Sequence, residues 1–239
     1  MIKSENKRIL LKLSGESLMG SENYGIELKV IDKIANDIKN LNETNIQTCI
    51  VIGGGNIFRG LAASAKGMER ANADYIGMLA TVMNSLGLQN GLEKLSLETR
   101  VMSAFPIQSI CETYIRRRAI RHMEKGRIVI CAAGTGNPYF STDTAAALRA
   151  AELECDCIFK ATQVDGIYDK DPKKFTDAKE IKNISYDNYL ASNLQIMDSS
   201  AIAIARENNI PIKVFSINEK NAFVKAVNNE IKTSEICNV

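Results

Sequence analysis

A lysine inside an apolar run is the first residue whose type and place could do chemistry. Lys12 interrupts Arg8-Ile9-Leu10-Leu11-Lys12-Leu13, immediately before Ser14-Gly15. A buried ammonium is costly unless it meets an anion. A phosphate at the strand end would be such an anion, and the same charge would stabilise a phosphoryl-transfer transition state. The competing reading is an edge-strand lysine whose tip reaches water. Gly53-Gly54-Gly55, after the apolar run 46–52, lets backbone amides approach an anion, or is only a sharp turn. Arg59 follows closely, where its guanidinium fork could close on a phosphate. Neither GxxxxGK[ST] nor the protein-kinase loops occur, so any nucleoside triphosphate must be held by another architecture.

The richest stretch is Gly134-Thr135-Gly136-Asn137-Pro138-Tyr139-Phe140-Ser141-Thr142-Asp143. Its small residues let backbone wrap a ligand, and its hydroxyl and amide groups supply hydrogen bonds. Thr142 or Asp143 is expected at the N-cap of the Ala-rich helix that follows, whose free N–H groups would face an anion. Asp143 by itself reads as a plain cap, and the functional role gains only in company with Lys12 and Gly54. Asp165, Asp169 and Asp171 are turn formers or, with Tyr168, the border of a nucleotide pocket. Arg116, Arg117, Arg118 and Arg121 read as a solvated or subunit-contact face, and His122, the only histidine, as a surface residue.

The elements that must position these residues alternate. Apolar runs at 8–13, 46–52, 99–104, 127–132, 155–160 and 211–215 predict strands. Helical spacing predicts helices over 28–41, 69–90, 112–125, 144–154, 199–208 and 222–228. Asp165-Gly166 is expected to turn a hairpin between 162–164 and 167–168. Such alternation predicts an α/β fold, a three-layer αβα sandwich with a mostly parallel central sheet. In these sheets ligands bind beyond the carboxyl ends of the strands, and every polar break named above follows a strand.

One unit spanning 1–239 is expected from the length, and the net charge of +2 is too small to imply a nucleic-acid surface. The six cysteines include no CxxC pair, so buried free thiols are expected and a zinc site is not. Lys3, Lys7 and Arg8 precede an apolar run too short for a signal peptide or a membrane span, giving a cytoplasmic expectation.

Together Lys7-Arg8-Ile9-Leu10-Leu11-Lys12-Leu13-Ser14-Gly15-Glu16, the 51–60 and 74–84 segments, 133–143, and Lys160-Ala161-Thr162-Gln163-Val164-Asp165-Gly166 resemble the amino acid kinase superfamily, and within it the bacterial uridylate kinase family. The resemblance runs from about residue 7 to 227 and implies transfer of the γ-phosphoryl group of ATP to UMP, giving UDP and ADP. It implies that Lys12, Arg59 and Asp143 are catalytic. Leu13, Ser14, Gly15, Gly55, Thr162, Gln163, Tyr168 and Asp171 would join Lys12 and Arg59 around ATP. Gly54, Asp74 and the stretch Thr135, Gly136, Asn137, Pro138, Tyr139, Phe140, Ser141 and Thr142 would hold UMP. Residues from about 150 onward would mainly bind ATP, the earlier part the acceptor. Mg²⁺ would come with ATP, without a dedicated protein ligand cage. The loop Gly20, Ser21, Glu22, Asn23, Tyr24 and Gly25 matches one tied to GTP activation, and the family's hexamers are inhibited by UTP. Two alternatives stand beside this reading: another small-acceptor kinase of the superfamily, and a non-catalytic nucleotide-binding module. No appended regulatory domain is expected beyond Val239, an expectation that weakens the aspartokinase and glutamate kinase readings.

Overall fold

The computed structural model describes residues 8–60, 64–65, 67–192 and 194–238. Lys3 and Lys7 lie outside the described residues. Nine strands form one sheet: β1 (Arg8–Leu13), β2 (Gln47–Ile52), β3 (Thr99–Ser103), β4 (Glu112–Thr113), β5 (Ile128–Ala132), β6 (Cys157–Thr162), β9 (Asn183–Ser185), β10 (Ile212–Ser216) and β11 (Ser234–Cys237). Their order is β4-β3-β5-β2-β1-β6-β10-β11-β9, and only the β10–β11 pairing is antiparallel. A separate antiparallel ribbon joins β7 (Ile167–Tyr168) to β8 (Glu180–Ile181).

The pleat explains both cores. Ile9, Leu11 and Leu13 point to one face, where they meet α1 (Leu28–Asn42), α2 (Arg70–Lys94) and α7 (Ala222–Val227). Leu10 points to the other, against α3 (Arg116–Glu124), α4 (Thr142–Glu152), α5 (Tyr186–Ala191) and α6 (Ser199–Glu207). The result is the expected three-layer sandwich. Strands buried on both faces read as continuous apolar runs, which is why the sequence marked them well. The chain builds β2 to β5 on one side of β1, then crosses to β6 on the other, so β1 and β6 flank the point where strand order reverses. No helix among the described residues is long and apolar enough to cross a membrane.

Three expectations are corrected. The hairpin across Asp165-Gly166 does not form: β7 pairs with β8, because the backbone of Thr162 is already engaged by Ile217 N–H at 2.9 Å. The polar helix expected over 112–125 begins only at Arg116, since Glu112 and Thr113 extend alongside β3. His122 is not a surface residue; its ring lies between Glu112 Oε2 (3.2 Å) and Arg127 Nη1 (3.1 Å) and is only 12% exposed. Strands β8, β9 and β11 and helix α5 carry too few residues for a periodic signal.

Candidate active site

Lys12 and Lys160 are direct neighbours in the parallel pairing of β1 with β6. Both side chains leave the sheet on the α4 face, and both are buried, at 6% and 7% exposure. Asp143, in the first turn of α4, answers the two together. Its Oδ1 lies 2.7 Å from Lys12 Nζ and its Oδ2 lies 2.7 Å from Lys160 Nζ. The Lys160 contact is a hydrogen bond. The Lys12 contact is a close ion pair without hydrogen-bond alignment, which leaves Oδ1 with no well-directed donor. Lys160 also donates to the Ile196 carbonyl. The edge-strand reading of Lys12 is thereby excluded, because β1 is central.

The electrostatics follow from this geometry. Burial pushes the Asp143 carboxyl up, but Lys12 and Lys160 outweigh burial and hold it below the usual carboxylate range. Burial and then the like charge of Lys12 bring Lys160 down to about 8, against the pull of Asp143. The two partners shift downward for different reasons, Asp143 because two cations face it and Lys160 first because it is buried. The two ammonium groups share the one carboxylate they touch, with the Asp198 carboxylate near Lys160 but not in contact with it, in a nearly dry site. An anionic ligand is the natural complement.

The glycines close around this charge. Gly53 N–H donates to the Leu13 carbonyl at 2.9 Å, joining the ends of β1 and β2, and the Ser14 carbonyl accepts from Ser17 N–H at 3.1 Å. A Cβ on Gly15 would stand 2.6 Å from Gly53 O, and one on Gly53 would stand 3.4 Å from Thr142 Oγ1. A Cβ on Gly54 would lie 2.7 Å from the Gly77 carbonyl of α2. Close backbone packing thus requires Gly15 and Gly54 whatever they bind. Gly55 has no such crowding. The loop is fixed from behind by an amide pair: Asn84 Nδ2 donates to Gly53 O at 2.7 Å and to Asn56 Oδ1 at 2.7 Å, and Asn56 Nδ2 donates to Asn84 Oδ1 at 2.9 Å. Arg59 is exposed, paired with Glu16, and reaches the Gly55 carbonyl at 3.4 Å.

On the β5 side, Asp74 of α2 accepts from Tyr139 N–H at 2.8 Å and from Arg70 Nε at 2.8 Å, so it clasps the 134–143 stretch. That loop turns through left-handed backbone at Ala133 (φ 62°) and Tyr139 (φ 72°), and Ala133 N–H is held by Thr81 Oγ1 at 2.8 Å. Thr135 Oγ1 accepts from Asn137 N–H at 3.2 Å. A Cβ on Gly136 would stand 3.2 Å from that of Ala104. Tyr139 and Phe140 are exposed, and Pro138 sits between Asn137 and Tyr139 in the same loop. The N-cap of α4 is neither Thr142 nor Asp143 but Ser141, whose Oγ accepts from Asp143 N–H (2.9 Å) and Thr144 N–H (3.2 Å). The cap falls one residue early, which frees the Asp143 carboxylate for the lysines. Asp198, itself the N-cap of α6, accepts from Ser141 Oγ and from Thr144 Oγ1 at 2.9 Å, fixing the start of α4.

Beyond β6, Tyr168 and Asp171 line a cavity of about 380 Å³ with Val164, Gly166, Leu194 and Ile196. Thr162 is not among the residues lining that cavity; its Oγ1 accepts from Val164 N–H at 3.0 Å. Gln163 does not join them; it faces a different cavity of about 220 Å³ beside Ser17, Lys33 and Asp37. In the Gly20–Gly25 loop, Ser21 N–H donates to Glu27 Oε2 at 3.2 Å and Gly25 N–H to the Asn56 carbonyl at 2.9 Å, while Tyr24 is exposed. Sequence reasoning omitted Lys160, Asp198, Asn84 and Glu16. Lys160 carried the same signal as Lys12, a lysine between apolar strand residues. The other three carried none, since their partners come from distant segments.

A family model described as the amino acid kinase family matches residues 7–216, and the chain belongs to that family. Within it, the chain belongs to the uridylate kinases. A uridylate kinase of Ehrlichia canis (strain Jake) is 55% identical over 232 residues, covering 97% of this chain and 95% of that one. One of Rickettsia felis is 58% identical, covering 92% and 91%. Among solved structures, a UMP kinase from Bacillus anthracis superposes with TM-score 0.91 at 38% identity, covering 97% and 96% of the chains. One from Ureaplasma parvum gives 0.92 at 37%, covering 98% and 99%.

Proposed function

We propose that this chain is a UMP kinase, transferring the γ-phosphoryl group of ATP to UMP to give UDP and ADP in pyrimidine nucleotide synthesis. The observation that carries the reading is the buried Lys12–Asp143–Lys160 cluster at the switch point of the sheet. Phosphate oxygens of UMP are competent nucleophiles near neutral pH, so positioning and charge neutralisation suffice and no general base is required. Lys12 binds the group in flight, Asp143 aims both lysines, and amides of Gly54 and Gly55 hold the two phosphates against their repulsion. Arg59, now paired with Glu16, exchanges that partner for phosphate. Asp74 and residues 135–142 hold the acceptor, while Tyr168 and Asp171 border the adenine. The whole chain works as one unit, with its acceptor half before about residue 150 and its donor half after.

Among the described residues no group of three or more histidine, cysteine, aspartate or glutamate side chains could hold a metal. The nearby carboxylates, Asp143 and Glu16, are already paired with cations. In this reading Mg²⁺ would arrive with ATP and would neutralise polyphosphate charge there. The exposed stripe of Tyr75, Leu79 and Met83 along α2 supports a homo-oligomer, in keeping with a hexamer. A monomeric mass in sedimentation would count against that. Regulation by UTP and GTP, with the Gly20–Gly25 loop as the responsive segment, and a cytoplasmic location complete the proposal. Offering UMP, CMP, carbamate and acetylglutamate with ATP in a coupled assay tests the acceptor; absence of turnover with UMP rejects it.

The Lys160 titration gives opposite signs for activity and stability. Its ammonium is lost as pH rises through about 8, so kcat/KM for ATP is expected to bend downward there. The unfolded chain keeps that proton to near the ordinary 10.5, so between about 8 and 10.5 it binds more protons than the folded chain. Folding stability therefore gains over that window. Lys160→Arg should move the alkaline limb out of range. A flat kcat/KM profile to pH 10 in the parent enzyme would show that Lys160 stays charged.

A further inference from the structure

The last stretch of the chain reaches back to the donor cavity. After α7 the backbone turns into β11, which pairs with β10 and β9 at the far side of the sheet. On its way it sends two side chains onto the segment 165–168. Ser234, fully buried, accepts from Ile167 N–H at 2.9 Å, and its Oγ would stand 2.7 Å from a Cβ on Gly166. Lys232 Nζ donates to Tyr168 Oη at 2.9 Å and to Asp165 Oδ2 at 2.8 Å, and pairs with Glu180 Oε2 at 3.2 Å. Tyr168 Oη in turn donates to Asp165 Oδ1 at 2.7 Å. One ammonium thereby ties both strands of the β7–β8 ribbon together.

The ribbon needs this brace. Each of its strands has two residues, and an isolated two-stranded ribbon is marginal in water. Yet Gly166 and Tyr168 form one wall of the 380 Å³ cavity. Asp165 and Glu180 are not among the residues lining the cavity; they stand beside Tyr168 as the other partners of the same ammonium. Lys232 meets both.

We infer that Lys232, with Ser234 behind it, is a positioning residue for the nucleoside triphosphate: the C-terminal segment holds Tyr168 and its neighbours in place as a wall of the donor cavity. The inference rests on the reading that ATP occupies this cavity. Lys232 touches the wall and not the reacting atoms, so its loss weakens ATP binding and spares the chemical step.

Lys232→Met, at a partly exposed position, is expected to raise KM for ATP about threefold to tenfold while kcat and KM for UMP stay within twofold. Lys232→Arg should restore most of the loss, because the charge is kept. Leu194→Trp, a bulkier side chain at another lining position, tests the reading beneath. If Leu194→Trp raises KM for ATP and Lys232→Met does not, the positioning role is overturned while the donor cavity stands. If neither variant changes KM for ATP, the cavity is not the donor site and the inference falls with it. A fall in melting temperature in Lys232→Met without the ATP-selective KM change would leave a purely structural brace, and also overturns it.

Discussion

Lys12→Ala lowers kcat about a hundredfold to a thousandfold, the range seen when one preorganised charge aimed at a transition state is removed. Stability moves little, for a reason visible in the charge balance. In the parent site two ammonium groups touch one carboxylate, and removing Lys12 leaves Asp143 paired with Lys160 at 2.7 Å. The like-charge repulsion that depresses Lys160 also disappears, so its titration should move up from about 8. Steady-state kinetics beside a thermal melt separates the two effects. Near-normal kcat in a folded Lys12→Ala protein would remove Lys12 from the chemistry altogether.

Asp143→Ala should fail differently, losing both activity and stability. Breaking a buried pair by deleting one partner leaves uncompensated charge and costs about 3–5 kcal/mol. Here two lysines, neighbours across β1 and β6, would face each other with nothing between them. At roughly 2–4 °C per kcal/mol for a chain of this size, the melting temperature should fall by about 6–20 °C. Activity should drop at least as far as in Lys12→Ala, since neither lysine is then aimed. The added change Lys160→Met removes one of the stranded charges and should return part of the stability but none of the activity. If Asp143→Ala melts with the parent protein, the ion cluster contributes nothing to the fold and the burial argument is wrong.

These two expectations rest on residues of unequal visibility. Lys12 stood out because four apolar neighbours, Ile9, Leu10, Leu11 and Leu13, surround it in a strand-like run. Lys160 sits in an equivalent run, Ile158-Phe159-Lys160-Ala161, and the same rule applied to it identifies it. Asp143 was visible by type, but its role was not, because a helix-capping aspartate and one that pairs with two lysines look alike in sequence. Which role it has depends on Ser141 taking the cap, and that is settled by Asp198, more than fifty residues away.

The glycine loop divides in the same way. Its position after a strand announced a close backbone approach. What approaches Gly54, the Gly77 carbonyl in the middle of α2, could not be read from the triplet. Gln163 and Tyr168 lie five positions apart, yet they face different cavities, because the chain leaves β6 and bends between them. The C-terminal segment had no periodic pattern, and its four-residue strand exists only because β10 and β9 offer it two edges.

Local pattern by itself determined the six long strands, most of their helices and the layered α/β plan, since burial on both faces writes continuous apolar runs into the chain. It also determined that polar and glycine-rich breaks follow the strands, and so that a site lies at their carboxyl ends. Tertiary structure alone decided which charges meet there. Strand order is set by long-range pairing, and only that order puts Lys12 beside Lys160 and swings α4 over both. An ion pair falls off within a few ångströms, so a contact between residues more than a hundred positions apart leaves no trace in the sequence around either one.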